Sequence, residues 1–258
     1  MLPKNTPIGY LLTSYIGLKT LATLTILSKN NKKQPISTGN QGINNKMTIK
    51  ILNLYAGIGG NRKLWENVEV TAIENNPEIA KIYQDFFPND KVIVTDAHKY
   101  LLEHYQEFDF IWSSPPCPSH SMLCFCQKNK KFPDMKLYQE IIFLKTWFKG
   151  KWVVENVKPY YKPLIKGKRV GRHMVWSNFD IENIEVDYQI GTFNRKASKE
   201  ALEKARIRRA QIPDLIDFNG LKDFKLSNKR QVLRNCVYPK VGLHIFNRAF
   251  KESQKTLI

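Results

Sequence analysis

A cysteine set among prolines, Ser113-Ser114-Pro115-Pro116-Cys117-Pro118, and an acid in an apolar run, Val153-Val154-Glu155-Asn156-Val157, are the residues of this chain best suited to covalent chemistry. Prolines leave the backbone little freedom to lose, so a thiol in that setting is held out for use at low entropic cost. As a thiolate it is a nucleophile, and a carboxyl kept protonated by burial is a general acid. A buried, inert cysteine is the competing reading. The glycines of Tyr55-Ala56-Gly57-Ile58-Gly59-Gly60 stand where a backbone can turn tightly and approach a ligand, although such turns also serve close packing. Glu74 follows them at roughly the 20-residue spacing at which an acid meets ribose hydroxyls in nucleotide-type folds, and Asp96 comes later. Two carboxylates at strand ends beside a glycine turn suit a ligand with a ribose and an exocyclic amine. Each can instead cap a helix, a serious rival for Asp96 before Ala97-His98.

The elements that must position these groups alternate. Short β-branched runs at 49–55, 68–73, 91–95, 108–113 and 152–154 read as strands. Asn76-Pro77 signals the cap and first turn of a helix through about Phe86, and 135–148 has helical periodicity. This pattern predicts an α/β fold, doubly wound around a mostly parallel sheet. The functional groups named above then all fall at strand ends, where ligands collect in such folds.

Composition narrows the partners. The chain has 258 residues, 42% of them hydrophobic, enough to bury a full core. Its 41 Lys and Arg against 23 Asp and Glu leave +18, a field that attracts polyanions and makes nucleic acid the leading partner class. Residues 158–175 carry Lys158, Lys162, Lys166, Lys168, Arg169 and Arg172 with no acid, and seven basic residues lie between Arg195 and Arg209. These runs suit phosphate contacts, or for the second a solvated helix face. Four cysteines, Cys117, Cys124, Cys126 and Cys236, are too few and too clustered for a disulfide scaffold and favour a reducing compartment. Cys117, His120, Cys124 and Cys126 as a zinc cluster would have an awkward final Cys-x-Cys spacing, so no metal is expected. Residues 1–46 hold six lysines and no acid, so the rest of the chain keeps +12. This part reads as an extension and linker. Its apolar stretch from Ile8 to Leu27 is either an accessory helix or a borderline membrane span interrupted by Lys19.

In order, the glycine turn, Pro116-Cys117, Glu155-Asn156-Val157 and Arg234-Asn235-Cys236-Val237-Tyr238-Pro239 resemble the DNA cytosine-5 methyltransferases over about 49–250. The resemblance implies a Rossmann-like fold of the S-adenosylmethionine-dependent methyltransferase type with a small target-recognition insertion. It implies S-adenosylmethionine as cofactor and double-stranded DNA as substrate. Cofactor binding would fall to Tyr55, Ala56, Gly57, Gly59, Gly60, Glu74, Asn75, Asp96, Ala97, Pro115, Asn235 and Val237. Cys117 would add to C6 of a flipped-out cytosine while Glu155, in its acid form, protonates N3. Asn156 would hold the Cys117 loop or the base, and Arg172 would contact O2 or steady the adduct.

Three departures from the family pattern stand out. The usual Gln-x-Arg-x-Arg is reduced to Arg172 followed by His173, Pro118 stands where many relatives have Gln, and Arg234 replaces a glycine. The domains expected are 1–46 as extension, 47–176 as cofactor and catalytic core, 177–228 as a 52-residue target-recognition region, and 229–258 returning to the core. Expected besides are a monomer, no stable membrane partner and a cytoplasmic location with the nucleic acid. The same residues also admit a tRNA cytosine-5 methyltransferase or a catalytically silent nucleic-acid-binding relative.

Overall fold

The computed structural model describes residues 48–122, 124, 132–184, 224 and 229–250. Seven strands form one sheet. They are β1 (Ile49–Leu54), β2 (Val68–Ile73), β3 (Lys91–Ile93), β4 (Phe110–Ser113), β5 (Lys151–Val157), β6 (Lys168–Val170) and β7 (His173–Ser177). The spatial order is β3-β2-β1-β4-β5-β7-β6. β1 to β5 pair in parallel, and β7 runs antiparallel to both β5 and β6. Helices α1 (Pro77–Phe86), α2 (Ala97–His104), α3 (Lys136–Trp147), α4 (Lys229–Asn235) and α5 (Pro239–Phe250) complete the described elements.

The two-residue period of a strand sends alternate side chains to opposite faces, and both faces are buried. Ile51, Phe110, Trp112, Val153 and Val175 enter one core, which α5 closes with Val241, Ile245, Phe246 and Ala249. Leu52, Leu54, Ile111, Trp152, Val154 and Trp176 enter the other, closed by α2 and α3 through Leu101, Leu137, Ile141 and Leu144. Helix α1 starts as its sequence predicts: Pro77 takes the first turn and Asn76 Oδ1 accepts from the amides of Glu78 (2.9 Å) and Ile79 (3.3 Å).

The doubly wound α/β expectation holds, with two differences. Strand β5 extends to Val157, so Glu155 and Asn156 lie within the strand rather than after it. The basic run at 158–175 also contains regular structure, β6 and the start of β7, a hairpin whose tight turn uses Gly171 at φ +57°. Its lysines, Lys158, Lys162, Lys166 and Lys168, are still exposed. Beyond β7 the chain stays on the core, with Ile181 buried. No helix among the described residues is long and apolar enough to cross a membrane. Ile8 to Leu27, the run from Arg195 to Arg209, Cys126 and most of 177–228 lie outside the described residues.

Candidate active site

Chain order along the sheet reverses between β1 and β4, and the crevice beyond their carboxyl ends is where doubly wound folds bind ligands. Leaving β1, Tyr55 at φ +56° and Gly57 at φ +55° throw the chain into the glycine turn. The Gly57 amide donates to Glu74 Oε2 (3.0 Å) and the Asn76 amide to Glu74 Oε1 (2.9 Å), so the acid at the end of β2 is oriented by the backbone. The glycines divide their work. A β-carbon on Gly59 would lie 2.3 Å from the Phe87 ring, and one on Gly60 would lie 2.6 Å from the Val237 carbonyl oxygen, whereas one on Gly57 would meet only open space. Gly59 therefore serves packing against α1, and Gly60 lets the turn lie against the segment after α4. Below the turn, a buried amide pair joins Asn61 Nδ2 to Asn53 Oδ1 at 2.8 Å, and Arg62 holds Asp90 through two hydrogen bonds of 2.9 and 3.0 Å.

Next to this turn, β4 delivers the proline loop. Cys117 is half-buried, and its carbonyl accepts from the amides of His120 and Ser121, both at 3.0 Å. Asn156 Nδ2 donates to the Pro115 carbonyl (2.9 Å), tying the cysteine loop to β5. Glu155, on the opposite face of β5 from Asn156, pairs with His173: Nδ1 lies 2.8 Å from Oε2 and each side chain is 9% exposed. The register explains the contact. His173 stands opposite Val157, so Glu155 is its diagonal neighbour on the same face of an antiparallel pair. Arg172 Nη2 donates to the Cys236 carbonyl (3.1 Å), joining the hairpin to the chain after α4.

These elements surround one cavity of about 280 Å³, lined by both the glycine turn and the cysteine–glutamate pair. Burial, then the Glu155 carboxylate, pushes the Cys117 thiol above its ordinary range, with Arg172 opposing. Burial alone would raise Glu155 too. Instead His173, a Ser114 hydrogen bond and Arg172 outweigh it and hold the carboxyl below the usual carboxylate range. The expectation that burial keeps Glu155 protonated is thus reversed in the free site, because an imidazole, a hydroxyl and a guanidinium face the carboxyl rather than apolar side chains alone.

The glycine turn after β1, the thiol after β4 and the paired acid within β5 thus meet at one crevice. Residues 49–169 match the C-5 cytosine-specific DNA methylase family. That span contains the glycine turn, Glu74, Cys117 and Glu155. Among solved structures, the chain is similar to a DNMT2 variant from Spodoptera frugiperda (25% identity, 43% of this chain and 36% of that one, TM-score 0.33). It is also similar to a SAM-dependent methyltransferase from Agrobacterium tumefaciens (13%, 44% and 40%, TM-score 0.32). A third similar structure is the Dnmt2 methyltransferase of S. pombe (19%, 42% and 34%, TM-score 0.31). The chain thus aligns with little more than a third of each of these proteins. No curated protein matches it.

Of the residues expected in a C-5 cytosine methylase site, the cavity brings together Cys117, Glu155, Asn156, Arg172, Tyr55, Ala56, Gly57, Gly60, Glu74, Asn75, Pro115, Asn235 and Val237. It leaves out Gly59, Asp96 and Ala97. Asp96 caps α2, accepting from the Lys99 amide at 2.8 Å, and Ala97 is buried in the α2 core. His173 and Cys236 line the cavity and were not singled out as site residues, although His173 adjoins Arg172 in the sequence. The period-2 pattern His173-Met174-Val175-Trp176 is the signal that would have placed it on a strand. Of the residues considered for zinc, Cys124 Sγ donates to the Pro118 carbonyl and His120 Nδ1 bonds the Tyr161 hydroxyl (2.6 Å). Among the described residues no group of three or more His, Cys, Asp or Glu side chains converges on a metal position.

The residues fit S-adenosylmethionine. Gly57 leaves open space beside the turn, Glu74 carries an oriented carboxylate for a diol, and Asn75 and Asn235 supply amides at the cavity wall. The volume lies near the lower end of the ~300–1,000 Å³ common for small-molecule sites.

Proposed function

We propose that this protein transfers a methyl group to C5 of cytosine in double-stranded DNA through a covalent adduct of Cys117. The observation that carries the reading is that the thiol of Cys117 and the carboxyl of Glu155 share one cavity with the glycine turn and Glu74. Bound S-adenosylmethionine would supply an electrophilic methyl group. Tyr55, Ala56, Gly57, Gly60, Glu74, Asn75, Pro115, Asn235 and Val237 would hold it. C5 of cytosine is a weak nucleophile until Cys117 adds to C6 and Glu155 gives N3 a proton, which together make C5 enamine-like. Asn156 fixes the Cys117 loop through Pro115, and Arg172 favours the thiolate over the thiol.

A base inside a duplex cannot reach this crevice, so the target cytosine has to leave the stack. The exposed Lys158, Lys162, Lys166 and Lys168 suit the flanking phosphates. Residues 47–176 serve as the cofactor and catalytic core, 177–228 as target recognition, and 229–258 as the returning wall. The working form is a monomer in the cytoplasm.

The test is incubation with methyl-labelled S-adenosylmethionine and, separately, unmethylated genomic DNA and bulk tRNA, with Cys117→Ala alongside. Label at C5 of cytosine in DNA is expected, lost in the variant while cofactor affinity is kept. Label in tRNA alone overturns the DNA substrate, and none in either overturns methyl transfer.

A further inference from the structure

We propose that His173 is a positioning residue that supplies Glu155 with the proton Glu155 delivers to N3 of the target base. The proposal rests on the cytosine reading above. Its first support is geometric: 2.8 Å between Nδ1 and Oε2, both side chains nine-tenths buried, requires a proton on that line. The pairing is fixed by strand register rather than by flexible loops, since His173 and Glu155 are diagonal neighbours across β5 and β7.

The second support comes from the groups that line the cavity with Glu155. Arg172, from the β6–β7 turn, has a permanent charge and holds the Cys236 carbonyl. Ser114, from the end of β4, offers a hydroxyl. The Cys117 thiol is pushed up by burial and by Glu155 itself, and the Cys236 thiol by burial to about 12. Imidazole is the one side chain in this set whose proton ordinarily exchanges near neutral pH. The third support is that Glu155 in the free site is held ionised, and so carries no proton of its own for N3.

The step balances as follows. The Cys117 sulfur forms a bond to C6, the C5–C6 π pair moves between C4 and C5, and the C4–N3 π pair moves to N3. N3 takes the proton from the Glu155 carboxyl, which received it from His173 Nδ1, leaving a neutral imidazole with its proton on Nε2. After C5 has taken the methyl group, the N3 proton returns to Glu155 and thence to His173. Water removes the C5 proton, the C5–C6 double bond re-forms and the C6–S bond breaks to release the thiolate. Proton transfer to Glu155 has a second effect: it removes the negative charge that opposes the Cys117 thiolate.

The test uses the full chain with His173→Gln, whose amide still donates a hydrogen bond but does not titrate; His173→Asn replaces it if the first variant does not fold. Single-turnover methyl transfer is followed across about pH 5 to 9. The Glu155 carboxyl is titrated by ¹³C NMR in the cofactor-free protein, and cofactor affinity is measured alongside. In the variant, transfer at neutral pH falls by about tenfold or more, the alkaline limb of the profile moves at least about one unit toward acid, and acidification restores the rate. Glu155 titrates at higher pH than in the wild type, and cofactor affinity is unchanged. A rate scaled down equally at every pH, or a Glu155 titration identical to the wild type's, overturns the proposal. Absence of transfer by the wild type to any nucleic acid instead overturns the cytosine reading, and the carboxyl titration then judges the pair alone.

Discussion

Glu140 offers the sharpest test of how the cavity floor is held. It sits in α3 with no solvent exposure and accepts three hydrogen bonds: from Tyr55 Oη (2.6 Å) and His98 Nδ1 (3.0 Å) on Oε1, and from Ser113 Oγ (2.5 Å) on Oε2. Tyr55 and Ser113 belong to the two strand ends that frame the crevice, so one carboxylate ties both to the helix behind them. Burial, then Glu140 itself, pushes the Tyr55 hydroxyl upward, which keeps it a donor. Glu140→Gln preserves shape but removes the charge and replaces one acceptor oxygen with a donor amide. A hydrogen bond to a charged group contributes about 1.5–3 kcal/mol, and the amide forfeits one such bond while weakening another. The expected loss is about 2–4 kcal/mol, or roughly 5–15 °C in Tm for a domain of this size. It carries a pH signature. The hydrogen bond to Glu140 raises His98 above its ordinary range, so the pair's contribution is full below pH of about 6.5 and fades as pH rises through the folded-state value. Urea melts of the wild type, Glu140→Gln, Tyr55→Phe and the double variant at several pH values measure this. A Glu140→Gln effect under about 0.5 kcal/mol, effects that simply add with Tyr55→Phe, or a gap that widens with pH would refute the reasoning.

Two further substitutions probe the cofactor wall. Gly60→Ala puts a β-carbon 2.6 Å from the Val237 carbonyl and 3.0 Å from Cys236 Cβ, and should cost about 1–3 kcal/mol of stability and at least about tenfold in cofactor affinity by calorimetry. Unchanged affinity would show that the turn and the 236–237 segment do not form one wall. Asp96→Asn keeps a competent cap on α2, so both stability and cofactor affinity should stay near wild type, while Asp96→Ala should cost about 1 kcal/mol in a thermal melt. A tenfold affinity loss in Asp96→Asn would assign the carboxylate to the cofactor after all.

The central sheet was legible because its strands bury both faces and so read as continuous apolar runs with helical segments between them. Cys117 and the glycine turn were legible because proline and glycine record backbone constraints directly. The β6–β7 hairpin was not. Its lysines and arginines dominate the composition of 158–175, and β6 is only three residues long, too short for an alternating pattern to show. The ionisation of Glu155 was hidden for a related reason: it depends on a partner that only antiparallel register brings across the sheet, and sequence shows burial more readily than pairing. Asp96 illustrates the reverse, a residue whose capping role was written locally in Asp96-Ala97-His98 and is what the fold uses.

The bond from Arg172 to the Cys236 carbonyl spans 64 residues of chain, and the wall it anchors is made by α4 and the turn into α5. A nascent chain that has emerged through Ile184 already holds the thiol, the acid and the glycine turn, yet lacks Val232, Asn235, Cys236 and Val237 of the cavity lining. Enclosure of the reactive groups and closure of one sheet face therefore depend on the same late stretch of chain, since α5 fills the core beneath β1, β4 and β5.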